Sequence, residues 1–385
     1  MAEAMRLNVW DERPIAGDPE QSFTLSGRHY SDPVVFEAEK ERIFLRSWQY
    51  AGHVGDLEHA GDYITTRIVD QPVAVVRGRD GELRGFHNVC RHRAHELLRG
   101  RGNVKAVITC PYHAWAYGLH GALRAARNCE NVKGFDKGDF SLAPVRVEVA
   151  LGMVFVNLDP DAVSLAEQAG DMFADILADL PGVERLRPWR DPAAAAAGDE
   201  VRRGGMAFNW KVLCDNCLEC YHCEPAHPAF CDLIDMDSYR TTLHGRWSVA
   251  KSHLLRGDNS AYPVAEGAPN KLGNFWFLWP NITFGCMPGQ ASLGVFVIDP
   301  VDVETTQTRG DILTVPGEAP DARRSAYGRG VLWPEDQGIC ESVHRGLKSH
   351  GYRQGRFIVD QERSEISEHG VHHFQRLYAQ AMGLV

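Results

Sequence analysis

The chain has 385 residues, 44% hydrophobic and 24% charged, which are the proportions of a soluble globular protein and exclude a disordered or collagen-like chain. Its 41 Lys and Arg against 51 Asp and Glu give a net charge of -10, which argues against a nucleic-acid partner because such a partner requires a basic footprint. No run of about eighteen apolar residues and no signal peptide is apparent, so we expect a cytoplasmic protein without a membrane segment.

In chain order, the sequence pattern of the first half of the chain predicts a small β domain. Between residues 50 and 158, short β-rich runs such as YITTRIV, VAVVRG, VKAVITC and MVFVNL are separated by Gly, Asp and Asn. Residues 165–180 have the apolar spacing of an amphipathic helix. The alanine-rich stretch 191–198 is predicted to be an exposed connection.

The second half predicts helices combined with strands. Helical spacing covers residues 209–222 and stops before Pro225, residues 273–299 contain two strand-like runs, and residues 362–382 return to a helix. The expected fold class is therefore α+β, with an antiparallel β domain placed before a domain of helices and antiparallel sheet.

Two Cys/His pairs form a first metal-binding constellation. Cys90 and His92 are spaced C-x-H, and Cys110 and His113 are spaced C-x2-H, each after a strand-like run. Two thiolates and two imidazoles suit either a tetrahedral zinc ion or a 2Fe-2S cluster with Cys on one iron and His on the other. The spacing favours the cluster. His87 and His95 lie nearby but match no ligand position.

Four cysteines at C-x2-C-x2-C-x2-C spacing, Cys214, Cys217, Cys220 and Cys223, are similar to a ferredoxin motif. On a predicted helix, ligands placed every three residues turn around the axis and do not converge. We therefore expect free, buried thiols that pack as small apolar groups.

The same run holds a second constellation, Glu219, His222 and His227. On the predicted helix, Glu219 and His222 would share one face, and Pro225 would break the helix so that His227 folds back. Two imidazoles and a distant carboxylate are the ligand set of non-haem iron(II).

These motifs carry a family resemblance. Residues 90–123, CRHRAHELL to CPYHAWAYGLHGAL, resemble the Rieske domain of the Rieske non-haem iron oxygenases, whose usual form is CRHRG and CPYHxWxY. Ala94 stands where that pattern usually has Gly. Residues 209–228, NWKVLCDNCLECYHCEPAHP, and residues 333–349, WPEDQGICESVHRGLKS, resemble the catalytic domain of the same family, so the resemblance covers nearly all of the chain.

The resemblance implies two cofactors. Cys90, His92, Cys110 and His113 would hold a 2Fe-2S cluster, and His222, His227 and Asp336 would hold a mononuclear iron(II). Glu335 and Asp360 are the alternatives to Asp336 as the acidic ligand.

The resemblance also implies partners and a domain division. Glu219 would link the cluster of one subunit to the iron of the next in a homotrimer, and a separate NAD(P)H-dependent reductase or ferredoxin would supply electrons. The division would be an N-terminal segment at 1–48 that packs on the catalytic domain, a Rieske domain at 49–158 and a catalytic iron domain at 159–385.

The substrate is suggested by the segment GNFWFLWPNITFGCMPG at residues 273–289, which is similar to the branch of the family that oxidises quaternary ammonium compounds. Aromatic faces attract such cations. Trp276, Trp279 and Phe284 are therefore candidate substrate-binding residues, and Asp215, one helical turn before Glu219, is a fourth. The expected reaction is oxidative N-demethylation of a betaine-type compound.

Three other functions remain open from the sequence. A ring- or side-chain-hydroxylating oxygenase acting on an aromatic substrate is the main alternative. A Rieske electron carrier would leave more than two hundred residues without a role, and a zinc-stabilised binding protein would explain the Cys and His residues without redox chemistry.

Overall fold

The structure is a computed structural model that describes residues 12–190 and 201–385. The alanine-rich connection predicted at 191–198 lies outside the described residues.

Ten strands lie between residues 49 and 157, and they form two antiparallel sheets. In chain order they are β1 (Gln49–His53), β2 (Asp62–Ile68), β3 (Gln71–Arg77), β4 (Leu83–His87), β5 (Arg101–Asn103), β6 (Val107–Thr109), β7 (Ala116–Gly118), β8 (Leu123–Ala125), β9 (Pro144–Ala150) and β10 (Met153–Asn157). The order β1-β10-β9-β4-β3-β2-β5 makes the larger sheet, and β6-β7-β8 make the smaller one. The two segments that carry the predicted Cys/His ligand pairs follow β4 and β6.

A third antiparallel sheet follows in the chain. Its strands are β11 (Arg187–Pro188), β12 (Val201–Met206), β13 (Arg240–Leu243), β14 (Trp247–Lys251), β15 (Asn274–Leu278), β16 (Ile282–Cys286), β17 (Ser292–Pro300) and β18 (Thr306–Thr314). The order is β11-β18-β17-β16-β15-β14-β13, and β12 also pairs with β18.

The α-helices precede, interrupt and follow this sheet. They are α1 (Arg28–Ser31), α2 (Pro33–Arg42), α3 (Leu165–Ala169), α4 (Met172–Asp179), α5 (Trp210–Cys217), α6 (Cys223–Ala226), α7 (Pro228–Leu233), α8 (Ala322–Tyr327), α9 (Trp333–Leu347) and α10 (His369–Met382). A π-helical turn, Gly328–Leu332, joins α8 to α9. The α+β fold class predicted from the sequence is confirmed, since helices and antiparallel sheets are both present.

The two faces of the third sheet pack against different helices. Trp276 and Phe284 share a core with Met172 and Ile176 of α4, whereas Phe277 packs on Phe374 of α10. Successive residues of a strand point to opposite faces, so the alternation along β15 divides its side chains between these two cores.

Three predicted helices differ from the observed ones in their limits. The helix predicted at 165–180 is two helices, because Gly170 ends α3 with a φ of 54°, in the left-handed region. The helix predicted at 209–222 ends at Cys217, and the last helix begins at His369 and not at 362. Within the described ranges, no helix is long and apolar enough to cross a membrane.

Candidate metal centres

Two short loops with the same backbone geometry carry the first set of predicted ligands. We call residues 90–95 and 110–115 the cluster loops. In the first, Cys90 N donates to His95 O at 2.8 Å and Ala94 N donates to Cys90 O at 2.9 Å. In the second, Cys110 N donates to Trp115 O at 2.8 Å, and Ala114 closes the turn in the same way.

The backbone conformation of the fifth residue in each cluster loop accounts for the family pattern at Ala94. Ala94 has a φ of 57° and Ala114 has a φ of 58°, both in the left-handed region where a Cβ is unfavourable. A glycine would adopt this conformation without strain, which is why the usual pattern places one at the position of Ala94. Alanine keeps the turn, so the substitution leaves the ligand geometry in place.

The cluster loops bring the two predicted imidazole ligands together. The Nδ1 atoms of His92 and His113 are 3.2 Å apart, and the His92 ring stacks on Trp115. Two nitrogens bound to one tetrahedral metal at about 2.1 Å would lie roughly 3.4 Å apart, so the pair fits a single iron. Cys90 and Cys110 are buried behind them, whereas His92 is exposed.

Tyr117, which was not identified from the sequence, supports the first cluster loop through its hydroxyl. The Tyr117 hydroxyl accepts a hydrogen bond from Arg91 N at 2.9 Å and lies 3.2 Å from Cys90 Sγ, where it can donate. Hydrogen bonds to cluster sulfurs stabilise the reduced state and raise the reduction potential. The tyrosine of the pattern CPYHxWxY was the available signal.

The second set of predicted ligands converges at the ends of short helices. His222 directly precedes α6, His227 lies between α6 and α7, and Asp336 is in the first turn of α9. The short α6 contains Pro225, and Pro228 begins α7, so the chain reverses direction around His227. We call His222, His227 and Asp336 the iron triad.

The triad has the spacing and donor set of a metal site. One ligand atom from each of the three residues lies within 4.8 Å of the other two. His227 Nε2 is 3.0 Å from Asp336 Oδ1, and His222 Nε2 is 3.6 Å from the same oxygen. Adjacent ligands of an octahedral metal at about 2.1 Å lie roughly 3 Å apart, so the residues fit iron(II) with open positions.

Each triad histidine has a carboxylate on its other nitrogen. His222 Nδ1 is 2.5 Å from Glu219 Oε1, and His227 Nδ1 is 2.8 Å from Glu335 Oε2. Such a pair selects the tautomer with Nδ1 protonated and leaves Nε2 free for a metal. Glu335, an alternative ligand in the sequence analysis, is thus placed behind His227.

The pKa values of His222 and Asp336 are shifted in the directions expected when a carboxylate lies beside a positive charge. Burial lowers the pKa of His222, but its hydrogen bonds with Asp336 and Glu219 outweigh this and raise the pKa to about 9. Burial raises the pKa of Asp336, yet the two histidines hold it below its usual value. A bound metal ion would supply the same positive charge to the carboxylate.

The helix that was expected to carry Glu219 and His222 ends before them. Glu219 lies beyond Cys217, and its Oε2 accepts a hydrogen bond from His222 N at 3.1 Å. The two residues therefore meet through a tight turn and not on one helix face. Asp360 accepts hydrogen bonds from Ser364 in the segment before α10, away from the triad.

The four clustered cysteines differ from one another, and the expectation of four free thiols is wrong. Cys220 and Cys223 form a disulfide, because the turn after α5 brings them together. Cys214 is free and buried, as expected, whereas Cys217 is free and exposed at the end of α5.

Three of the four candidate substrate residues lie in cores. Trp276 donates its indole N–H to Asp175 of α4 at 2.7 Å, and Phe284 packs in the same core, so both side chains are on the sheet face opposite Phe275 and Phe277. Trp279 packs on Phe374 of α10. Strand parity turns Trp276 and Phe284 towards α4, against the expectation that they face the iron, whereas Trp279 follows β15 and is not placed by strand parity. A role of Trp279 in substrate binding stays a prediction.

Asp215 also points away from the triad. Its carboxylate accepts hydrogen bonds from Tyr30 at 2.6 Å and from Gln375 at 3.0 Å. Burial raises the pKa of Asp215 to about 7. Its partners come from the N-terminal segment and from α10, so Asp215 joins elements and does not line the iron site.

Comparison with known proteins agrees with this arrangement. Residues 47–136 match the Rieske [2Fe-2S] domain, and residues 186–384 match the catalytic domain of the ring hydroxylating alpha subunit. The chain is 43% identical over 369 residues to the carnitine monooxygenase oxygenase subunit of Escherichia coli K12, covering 95% of this chain and 96% of that protein. It is 29% identical over 367 residues to the chloroplastic choline monooxygenase of Beta vulgaris, covering 92% of this chain and 76% of that protein.

Solved structures show the same likeness. Structures of the quaternary ammonium Rieske monooxygenase CntA in complex with L-carnitine and with γ-butyrobetaine each match with a TM-score of 0.83 and 36% identity, over 97% of this chain and 100% of theirs. The fold, the paired metal centres and these likenesses together show that the chain belongs to the Rieske non-haem iron oxygenases, as an alpha (catalytic) subunit similar to the quaternary ammonium monooxygenases.

Proposed function

We propose that the chain is the oxygenase component of a multicomponent monooxygenase that hydroxylates a carbon next to the nitrogen of a betaine-type quaternary ammonium compound. The observation that carries this proposal is the iron triad, whose two imidazoles and one carboxylate leave metal positions open for O2 and substrate. The 43% identity to a carnitine monooxygenase subunit supports the substrate class.

Each cofactor has its ligands in this proposal. Cys90, His92, Cys110 and His113 hold the 2Fe-2S cluster, and the iron triad holds the mononuclear iron. When bound, the cluster supplies single electrons and the iron supplies O2 activation. Glu219 and Glu335 orient the two triad imidazoles through the hydrogen bonds already described.

The reaction consumes one O2, two electrons and two protons, and yields a hydroxylated substrate and one water. Hydroxylation of an N-methyl carbon produces a carbinolamine, which breaks its C–N bond to release formaldehyde and the demethylated amine. Electrons come from NAD(P)H through a separate reductase, because only the Rieske and alpha-subunit domains are matched in this chain.

We further propose that electrons pass between subunits of a homotrimer. Glu219 already holds His222, and the cluster loops present His92 to solvent. Glu219 would then link His113 of the partner subunit to His222 across the interface. No hydrogen bond joins the cluster loops to the iron triad within the described part of one chain, which favours this route. The cytoplasmic location expected from the sequence stays a prediction.

The alternatives differ in a measurable way. A Rieske electron carrier would bind two irons per chain, and a zinc-stabilised binding protein would bind zinc alone. Metal analysis with EPR of the reduced protein, before and after nitric oxide addition, separates both from an oxygenase with three irons per chain.

The proposed reaction is tested with the purified oxygenase, an NAD(P)H-dependent reductase and a panel of betaines. We expect consumption of a quaternary ammonium compound, with formaldehyde as a product and one atom of ¹⁸O2 in it before exchange with water. Release of trimethylamine without formaldehyde would show that the hydroxylated carbon belongs to the carbon chain of the substrate and not to an N-methyl group. Oxidation of aromatic compounds alone would replace the proposal with the ring-hydroxylating alternative.

A further inference from the structure

A buried hydroxyl near the iron triad has no hydrogen-bond partner. Tyr327, the last residue of α8, is 5% exposed, and its hydroxyl oxygen finds no partner within the described residues. A buried hydroxyl without a partner costs free energy, so in proteins such a group is usually hydrogen-bonded to a protein group, an ordered water or a bound ligand.

The position of Tyr327 relates it to the triad. Tyr327 packs in one apolar cluster with Cys223, which follows His222, and with Phe230 of α7. Burial first, and then the negative charges of Glu335 and Asp336, raise the pKa of the Tyr327 phenol. The phenol therefore lies within the field of the iron-side carboxylates.

The π-helical turn between α8 and α9 explains why Tyr327 lies on the side of the helix that faces the iron triad. Tyr327 and Asp336 are nine positions apart, and in an uninterrupted α-helix such residues point to roughly opposite sides. The π-helical turn Gly328–Leu332 widens the helix between them and changes this phase. Turns of this kind occur often at functional sites.

A positive charge lies on the same helix. Arg324 is one turn before Tyr327 on α8, and its guanidinium donates to Ser292 Oγ at 2.7 Å and to the carbonyl oxygens of Met287 and Gln290. These three acceptors are all uncharged oxygens. Along the chain, Tyr327 thus has the basic Arg324 before it on α8 and the acidic Glu335 and Asp336 after it on α9.

We infer that the Tyr327 hydroxyl donates a hydrogen bond to the carboxylate of a betaine substrate and is a specificity-determining group. The ammonium head lies towards the acids of the iron site, where the reacting carbon must be, and the carboxylate lies towards Tyr327 and Arg324. This inference rests on the proposed function and names the substrate class more narrowly, as zwitterions in preference to simple cations.

The test compares two ligands that differ only in the carboxylate. γ-Butyrobetaine and n-propyltrimethylammonium have the same ammonium head and the same three-carbon chain. Their Kd values are measured by calorimetry on the iron-loaded protein and on its Tyr327→Phe variant, which keeps the ring and loses the hydroxyl. We expect Kd for γ-butyrobetaine to rise about ten- to a hundredfold and Kd for n-propyltrimethylammonium to change less than about twofold.

Tyr262→Phe is the matched control. Tyr262 packs against the Tyr327 ring at 5.8 Å between centroids, but its own hydroxyl already donates to Pro288 O at 3.0 Å. The Tyr262→Phe substitution should leave unchanged the ratio of the Kd values for γ-butyrobetaine and n-propyltrimethylammonium. Thermal melting of both variants shows whether they are folded.

The outcomes separate this inference from the proposed function. If the unaltered protein binds both ligands and Tyr327→Phe leaves their ratio unchanged, the role of Tyr327 is wrong and the proposed function stands. Equal Kd values for the two ligands in the unaltered protein also overturn the inference. If the unaltered protein binds neither ligand, both proposals are wrong.

Discussion

Both triad imidazoles are held by a carboxylate, but the two carboxylates have different surroundings. Glu219 lies in the turn between α5 and His222 and also accepts a hydrogen bond from the backbone N–H of His222. Glu335 belongs to α9 itself, neighbours the ligand Asp336 and contacts His227 of its own chain. In physical terms, Glu335 is a positioning residue that keeps His227 in one tautomer and raises its basicity.

Glu335→Gln should therefore weaken iron binding. The variant keeps a hydrogen-bond acceptor for His227 but loses the negative charge, and we expect iron affinity to fall about ten- to a hundredfold. Competition with a chromophoric iron chelator measures the affinity directly. Glu341→Gln is the control, because Glu341 lies on the same helix and is paired with Gln337. Equal affinity in both variants would contradict the role of Glu335.

At the scale of elements, α5 is anchored by a buried polar network. Glu39 of α2 accepts hydrogen bonds from Lys211 at 2.6 Å, from Trp210 at 2.8 Å and from Tyr378 of α10 at 2.8 Å. Lys211 and Glu39 are both fully buried. Removing one partner of such an ion pair would leave an uncompensated charge, so the network holds α2, α5 and α10 in one arrangement.

Close packing completes this anchor near the metal site. A Cβ placed on Gly370 of α10 would lie 2.2 Å from the Leu218 carbonyl oxygen, which is closer than any side chain permits. Leu218 directly precedes Glu219. The absence of a side chain at Gly370 therefore allows α10 to contact the turn that carries Glu219.

Asp215 makes the stability of this anchor depend on pH. Burial raises the pKa of Asp215 from 3.8 to about 7, so the folded protein keeps a proton that the unfolded chain has lost. Between these values, the unfolded state binds fewer protons and a rise in pH destabilises the fold. Asp215→Asn mimics the protonated acid and removes this dependence.

We expect the free energy of unfolding of Asp215→Asn, relative to the unaltered protein, to increase from about pH 4 to about pH 7 and then to level off. The total gain should be no more than about 4 kcal/mol, which corresponds to the size of the pKa shift. Urea unfolding at a series of pH values measures it. A difference that does not vary with pH would show that Asp215 is ionised in the folded protein.

At the scale of the whole molecule, the two candidate metal centres are built by different parts of the chain. The cluster loops follow β4 of the seven-stranded sheet and β6 of the three-stranded sheet, whereas the triad residues lie at the ends of helices in the part of the chain that builds the third sheet. Electron transfer between subunits would make each chain a donor to one neighbour and an acceptor from another.

This arrangement predicts complementation between two inactive variants. His113→Ala removes a cluster ligand and leaves the iron triad intact. Asp336→Ala removes an iron ligand and leaves the cluster ligands intact. When the two are co-expressed, an intact cluster meets an intact iron at about one in four interfaces of randomly mixed trimers, so about a quarter of full activity should return. Each variant expressed alone should be inactive. Mixed oligomers without activity would show that electrons stay within one chain.

The sequence by itself determined the family, the fold class and the cofactor chemistry. The reason is that the motifs are local: each cluster ligand pair lies on one loop, and His222 and His227 lie on one short segment. Residue type and spacing over a few positions are sufficient to indicate metal ligands, because a tight loop allows few other geometries.

Only the tertiary structure decided which side chains surround the iron. Trp276 and Phe275 are adjacent in the sequence, but strand parity sends them to opposite faces, and a helical end that falls five residues earlier than predicted alters how Glu219 meets His222. The placement of Glu335 behind His227, of Asp215 against α10 and of Tyr327 beside the triad depends on contacts between distant elements. Spacing along the chain carries no information about such contacts, since packing sets them after the elements have formed.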